Sequence, residues 1–141
     1  MTHLAIMNKQ LGLIDEILSG RKTIESRWYK NKICPWDRIN AGDTVYFKDS
    51  GAPVTAKATV SKVLQFTQLN QEKFTHIVKT YGDAIAMRTR EYNDYYQSKN
   101  YCVLVFLQDH VKVKPFRIDK KGYGTSAAWL CIEDIKDIAI T

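Results

Sequence analysis

The sequence predicts one α+β domain, built on a curved, mostly antiparallel sheet that comes close to closing into a barrel. Three observations predict it. Segments with the two-residue period of strands outnumber those with helical period. A Gly/Pro turn, Asp49-Ser50-Gly51-Ala52-Pro53, separates two of these segments as a hairpin. Helical period itself is confined to the region after the first strand and to the middle of the chain. No repeat, low-complexity tract or Pro/Gly-rich linker interrupts the 141 residues, so residues 1–141 read as a single domain.

In chain order, residues 3–7 read as a short strand. Residues 9–19 place Leu11, Ile14, Ile17 and Leu18 on one helical face, with Gly20 where a C-terminal glycine belongs. Residues 22–29 are rich in β-branched and aromatic side chains and predict a strand. After a loop with Pro35 and Ala41-Gly42-Asp43, the strands Thr44–Asp49 and Val54–Phe66 form the hairpin. Asn70 caps a helix predicted over residues 71–80, with Phe74, Ile77, Val78 and Tyr81 inward and Gly82 as its stop. A further helix is expected over 84–98, packing Tyr92, Tyr95 and Tyr96 on the sheet. Residues 101–107 are a continuous apolar run, as in a central buried strand. Residues 111–118, 128–133 and 138–140 complete the sheet, with His110 at a turn. The expectation is about five to seven strands with about three flanking helices.

The composition, 45% apolar and 26% charged, is that of a soluble globular protein. No apolar run approaches the roughly 20 residues needed to span a bilayer, and residues 1–7 lack the basic and small-residue parts of a signal peptide. The expected location is cytoplasmic, with no membrane partner. Cys34, Cys102 and Cys131 are widely spaced, with no CxxC pair and no histidine cluster, and read as reduced thiols rather than metal ligands. His3, His76 and His110 read as ordinary surface histidines. No P-loop, dinucleotide or GxSxG signature is present, and no cofactor or metal is expected.

The formal charge of +6 is concentrated. Residues 20–38 carry Arg21, Lys22, Arg27, Lys30, Lys32 and Arg38 against Glu25 and Asp37. Residues 112–121 carry Lys112, Lys114, Arg117, Lys120 and Lys121 against Asp119. Such segments suit a polyanion. Arg21, Lys30 and Lys32 are candidate phosphate contacts, and Trp36, in the same basic loop, is a candidate stacking surface for a base.

Strand parity refines the site. Glu25 and Arg27 share a face opposite Ile24, Ser26 and Trp28, and Lys22 lies at the turn from which it can swing to Glu25. Thr44, Tyr46 and Lys48 share a face opposite Val45 and Phe47. If both apolar sets face one core, Glu25, Arg27, Tyr46 and Lys48 converge on a cleft. Arg27 suits bidentate contact with phosphate or a base edge. Lys22 suits a phosphate or, desolvated, a general base; Glu25 suits an amino group or acid–base work. The glycine-flanked loop from Lys120 and Lys121 through Tyr123 to Ser126 offers free N–H groups for an anion, a tyrosine to stack and a hydroxyl as contact or nucleophile.

The run Gly20-Arg21-Lys22-Thr23-Ile24-Glu25-Ser26-Arg27 has a further meaning. With Gly20, Lys22, Glu25 and Arg27 in the pattern G-x-K-x-x-E-x-R after the first helix, and Gly42-Asp43 at a strand entry, the chain resembles the ASCH family. The resemblance implies a PUA-like pseudobarrel, a cleft lined by the motif and a role in RNA binding or metabolism. Relatives include ribonucleases and an amidohydrolase acting on N4-acetylcytidine. The amidohydrolases carry Thr where this chain has Glu25, leaving Thr23 or Ser26 on the opposite strand face as the only nearby hydroxyls. The expected ligand is therefore RNA, or a nucleoside or nucleotide. The expected role is binding, with ribonuclease action on single-stranded RNA; the alternatives are an amidohydrolase of N4-acylated cytidines and a non-catalytic regulatory domain. In the ribonuclease reading, Lys22, Tyr46, Lys48 and Ser126 would supply base and cation.

Overall fold

The computed structural model describes residues 1–87, 98–120, 122–124 and 126–140. Strands β1 (Thr2–Met7), β2 (Ile24–Tyr29), β3 (Thr44–Asp49), β4 (Val54–Phe66), β5 (Tyr101–Ile118), β6 (Trp129–Ile132) and β7 (Ala139–Ile140) alternate with helices α1 (Leu13–Leu18) and α2 (Gln71–Ile85). The sheet runs β2-β5-β4-β3-β1-β6, with β7 added on β5. Its neighbours are antiparallel except for β1 and β3, which are parallel because α1 and β2 intervene as a crossover. Register shifts along the β3–β4 and β4–β5 ladders bend the sheet into a half-barrel. Among the described residues, no helix is long and apolar enough to cross a membrane.

The two sheet faces bury different sets. On the concave face Val45 and Phe47 of β3, Ala56, Ala58 and Val60 of β4, and Val103 and Val105 of β5 pack with Ile14 and Ile17 of α1, Trp36 and Trp129. On the outer face Ile24 and Trp28 of β2 and Cys102 and Leu104 of β5 receive Phe74, Ile77 and Ile85 of α2. A third cluster joins Leu4, Val54, Leu130, Ile132 and Ile138.

Four expectations change. The first helix does not run unbroken over 9–19: Gly12, at φ 62°, separates a 3₁₀ turn (Lys9–Leu11) from α1, and Leu11 is left exposed. Helix α2 runs through Gly82 to Ile85, because Ile85 continues its buried stripe; Ala86, at φ 62°, takes the terminating left-handed position. Residues 101–118 form one long strand, so His110 lies in β5 rather than at a turn; the backbone irregularity is a positive φ at Asp109. His3 is fully buried. Most of the helix expected over 84–98, with Tyr92, Tyr95 and Tyr96, falls outside the described residues. Asn70 caps α2 as expected, its side-chain oxygen accepting from the Lys73 N–H at 2.8 Å. Asn70→Ala is expected to cost about 1 kcal/mol in urea unfolding; a change below about 0.3 kcal/mol would show the cap to be idle.

Candidate groove and its charged clamp

Each pair across β2 and β5 fixes which way a side chain points. Glu25 is the register partner of Val105 and Arg27 that of Val103, so both face the concave side. Ile24 and Trp28 face α2, and Ser26 accepts the Trp28 Nε1–H at 3.0 Å. Lys22 reaches Glu25 from the preceding turn, its Nζ 3.1 Å from Oε1.

These three residues form a closed network. Arg27 donates to Glu25 Oε2 from Nε at 3.1 Å and Nη2 at 2.8 Å. Lys22 Nζ also donates to the carbonyls of Ile24 at 2.8 Å and Ile85 at 2.6 Å, so all three of its N–H bonds are engaged. Arg27 continues to the carbonyls of Ala128 and Ile6, and its guanidinium lies 5.1 Å from the centre of the Trp129 ring. The motif thus ties β2 to the end of α2, to β1 and to the turn before β6. Burial alone would raise the Glu25 carboxyl, but the Lys22 and Arg27 charges and hydrogen bonds outweigh it and hold it below the usual range. Glu25 is therefore an anion at neutral pH.

Beside this clamp opens a groove of about 1320 Å³, bordered by residues 8–13, 25–29, 85–87 and 126–128. Among the described residues its charged lining is Lys9, Lys22, Arg27, Lys99 and Lys120, with Glu25 the one carboxylate. Ser126 stands on its wall, and Tyr29 contributes a ring whose phenol burial pushes up to about 12. Tyr29 thus enters as a neutral hydrogen-bonding group.

The structure separates other expected site residues from this groove. Tyr46 and Lys48 are not among its walls. The assumption that the apolar faces of β2 and β3 look the same way fails: Val45 and Phe47 face the concave side, while the apolar face of β2 looks out at α2. Glu25 and Arg27 consequently share the face of Phe47, and Tyr46 falls on the other, where its ring meets Phe116 at 6.0 Å. Trp36 is no open stacking surface; it is buried edge-on against Tyr101 at 5.0 Å, because the loop folds it into the concave core. Lys32 lies over those two rings, and Arg21 pairs with Glu16 at 2.9 Å, both away from the groove. Lys30 does not border it either. Lys120 does; Lys121 lies outside the described residues. Tyr123 is exposed on a smaller neighbouring depression of about 510 Å³, which also touches Ser126, Cys34 and Cys131.

One buried polar group had no sequence signal beyond the Gly42-Asp43 strand entry. The His3 ring lies between Asp43, Nε2 to Oδ2 2.9 Å, and Trp129, whose Nε1–H donates to Nδ1 at 3.0 Å. An indole nitrogen only donates, so Nδ1 is unprotonated and Nε2–H donates to Asp43. Burial lowers the His3 pKa against the opposing pull of Asp43, which keeps the ring neutral.

No family model matches the chain, and no curated protein matches it. Solved structures do. The ASCH protein of Zymomonas mobilis superposes with a TM-score of 0.69 at 16% identity, over 94% of this chain and 87% of that one. A form of it with a serine-to-alanine substitution gives 0.71 at 15%, over 96% and 91%. The N-terminal domain of McrB from Staphylothermus marinus gives 0.58 at 14%, over 93% and 87%.

Proposed function

We propose that this chain, whose fold is that of the ASCH domains in its PUA-like pseudobarrel form, binds single-stranded RNA in the groove beside the Lys22–Glu25–Arg27 clamp. The observation that carries this reading is the charge of the groove. Lys9, Lys99 and Lys120 add to a lining in which, among the described residues, the one carboxylate, Glu25, is paired with two cations. Such a surface attracts phosphates, and Tyr29 offers a ring beside them. The basic segments elsewhere lengthen the electrostatic footprint.

Binding is favoured over cleavage by the same contacts. The Lys22 ammonium has no free N–H and Glu25 is held as an ion-paired anion, so neither is poised as acid or base. Amidohydrolase action draws no support either, since the Ser26 hydroxyl accepts from Trp28 on the face opposite Glu25. Labelled single-stranded RNA should bind with an affinity that falls as salt rises from about 50 to about 200 mM, and should remain intact. Combining Lys9→Ala with Lys99→Ala should weaken binding about tenfold and flatten the salt slope by about 1.4. An affinity indifferent to salt and to both substitutions would contradict the reading; RNA cut at a rate set by Ser126 would replace binding with catalysis.

A further inference from the structure

Lys48 is the buried cation that the clamp does not use. It is only 8% exposed, yet its ammonium makes no hydrogen bond or ion pair with any described residue. Its charged neighbours make matters worse: besides burial, Lys120 and Arg117 press its pKa down, and among the described residues only Asp49 opposes them. A lysine held this way costs stability unless an anion joins it.

Backbone pairing brings the same groups together independently. Lys48 is the register partner of Ile6 on one side and Val54 on the other. Val54 pairs with Phe116, the neighbour of Arg117. The Ile6 N–H donates to Ala128 O, and Lys120 Nζ donates to Ala127 O at 2.8 Å. Ile6, Lys120 and Ala127 all border the groove. The cluster therefore sits at the groove's rim, across β1 from the clamp.

We propose that Lys48, Arg117 and Lys120 form a phosphate subsite that takes a backbone phosphate of the RNA strand where it leaves the groove. The anion site stands on the cation cluster; its assignment to RNA rests on the groove reading above. Lys48 offers a charge-assisted donor beside the Arg117 and Lys120 charges, and it is already partly desolvated, which lowers the loss of water that binding requires. Arg117 and Lys120 also extend the site toward the basic end of β5.

The test uses two probes on the wild-type chain, Lys48→Met, which keeps the unbranched stem, and Lys48→Arg, which keeps the charge. Inorganic phosphate should raise the wild-type Tm beyond a sodium chloride control of equal ionic strength. Lys48→Met should abolish that rise and Lys48→Arg should keep it. Without ligand, Lys48→Met should melt at or above the wild-type temperature, since an uncompensated charge has gone. With single-stranded RNA, Lys48→Met should lose about tenfold in affinity and about 0.7 in salt slope. An equal phosphate shift in wild type and Lys48→Met overturns the subsite. RNA binding that ignores Lys48→Met removes the strand from the subsite while leaving the groove reading standing. A Lys48-dependent phosphate shift in a protein that binds no RNA keeps the anion site and overturns its assignment to RNA along with the groove reading.

Discussion

Glu25→Gln is expected to destabilise the fold by about 3–5 kcal/mol, the cost of breaking a buried ion pair from one side. The amide keeps the shape but removes the charge that holds Lys22 and Arg27, which then face each other in a site of low exposure. The attachments of α2 through Lys22 to Ile85, and of β1 through Arg27 to Ile6, lose their common anchor. Replacing the three together, Lys22→Met, Glu25→Leu and Arg27→Met, should recover much of the loss, because no stranded charge is left behind. Urea unfolding at neutral pH checks both. A loss under about 1 kcal/mol would place the pair with exposed salt bridges and contradict the clamp.

The same residue sets an acid limb. Its folded pKa is depressed, so its contribution is present above the unfolded value of about 4.3 and disappears as pH falls through the lower folded value. His3 adds to this at higher pH. Its folded pKa is also lowered, so the unfolded chain takes up the proton first, and stability starts to fall as pH drops below about 6.5. Glu25→Gln should flatten the lower limb and leave the upper one.

Trp129→Ala is expected to cost about 3–5 kcal/mol, as for a large aromatic removed from a core. Trp129 is 5% exposed, packs in the concave cluster, supports the Arg27 guanidinium and donates to His3. Trp129→Phe separates these roles. It keeps a ring for Arg27 and loses the N–H, leaving His3 Nδ1 an orphaned buried acceptor at about 1–3 kcal/mol. With no indole N–H pointed at it, Nδ1 is free to take a proton, so His3 should titrate at higher pH in NMR. A His3 titration unchanged by Trp129→Phe would contradict the tautomer assigned above.

Particular elements explain what was legible in the sequence. The strand assignments over residues 22–29, 44–49 and 54–66 rested on alternation and hairpin chemistry, and these are local properties that the fold keeps. Parity within β2 correctly put Glu25 beside Arg27. Parity between β2 and β3 misplaced Tyr46 and Lys48, because it needs to know which face each strand buries. β2 hides its apolar side under α2 and presents its charged side to the concave core, the reverse of an ordinary half-buried strand. Trp36 misled for a related reason: a basic, proline-containing loop reads as exposed, yet its indole packs into the concave core against Tyr101. His3 was invisible because its partners, Asp43 just before β3 and Trp129 at the start of β6, lie far along the chain.

The groove is the central claim, and mapping where RNA touches the protein tests it most directly. Adding single-stranded RNA to isotope-labelled protein and following backbone amide signals should move residues 8–13, 25–29 and 126–128, with Lys9 and Ser126 among the largest shifts. Shifts confined to the outer surface of α2, or none at RNA concentrations that saturate other single-strand binders, would contradict the account.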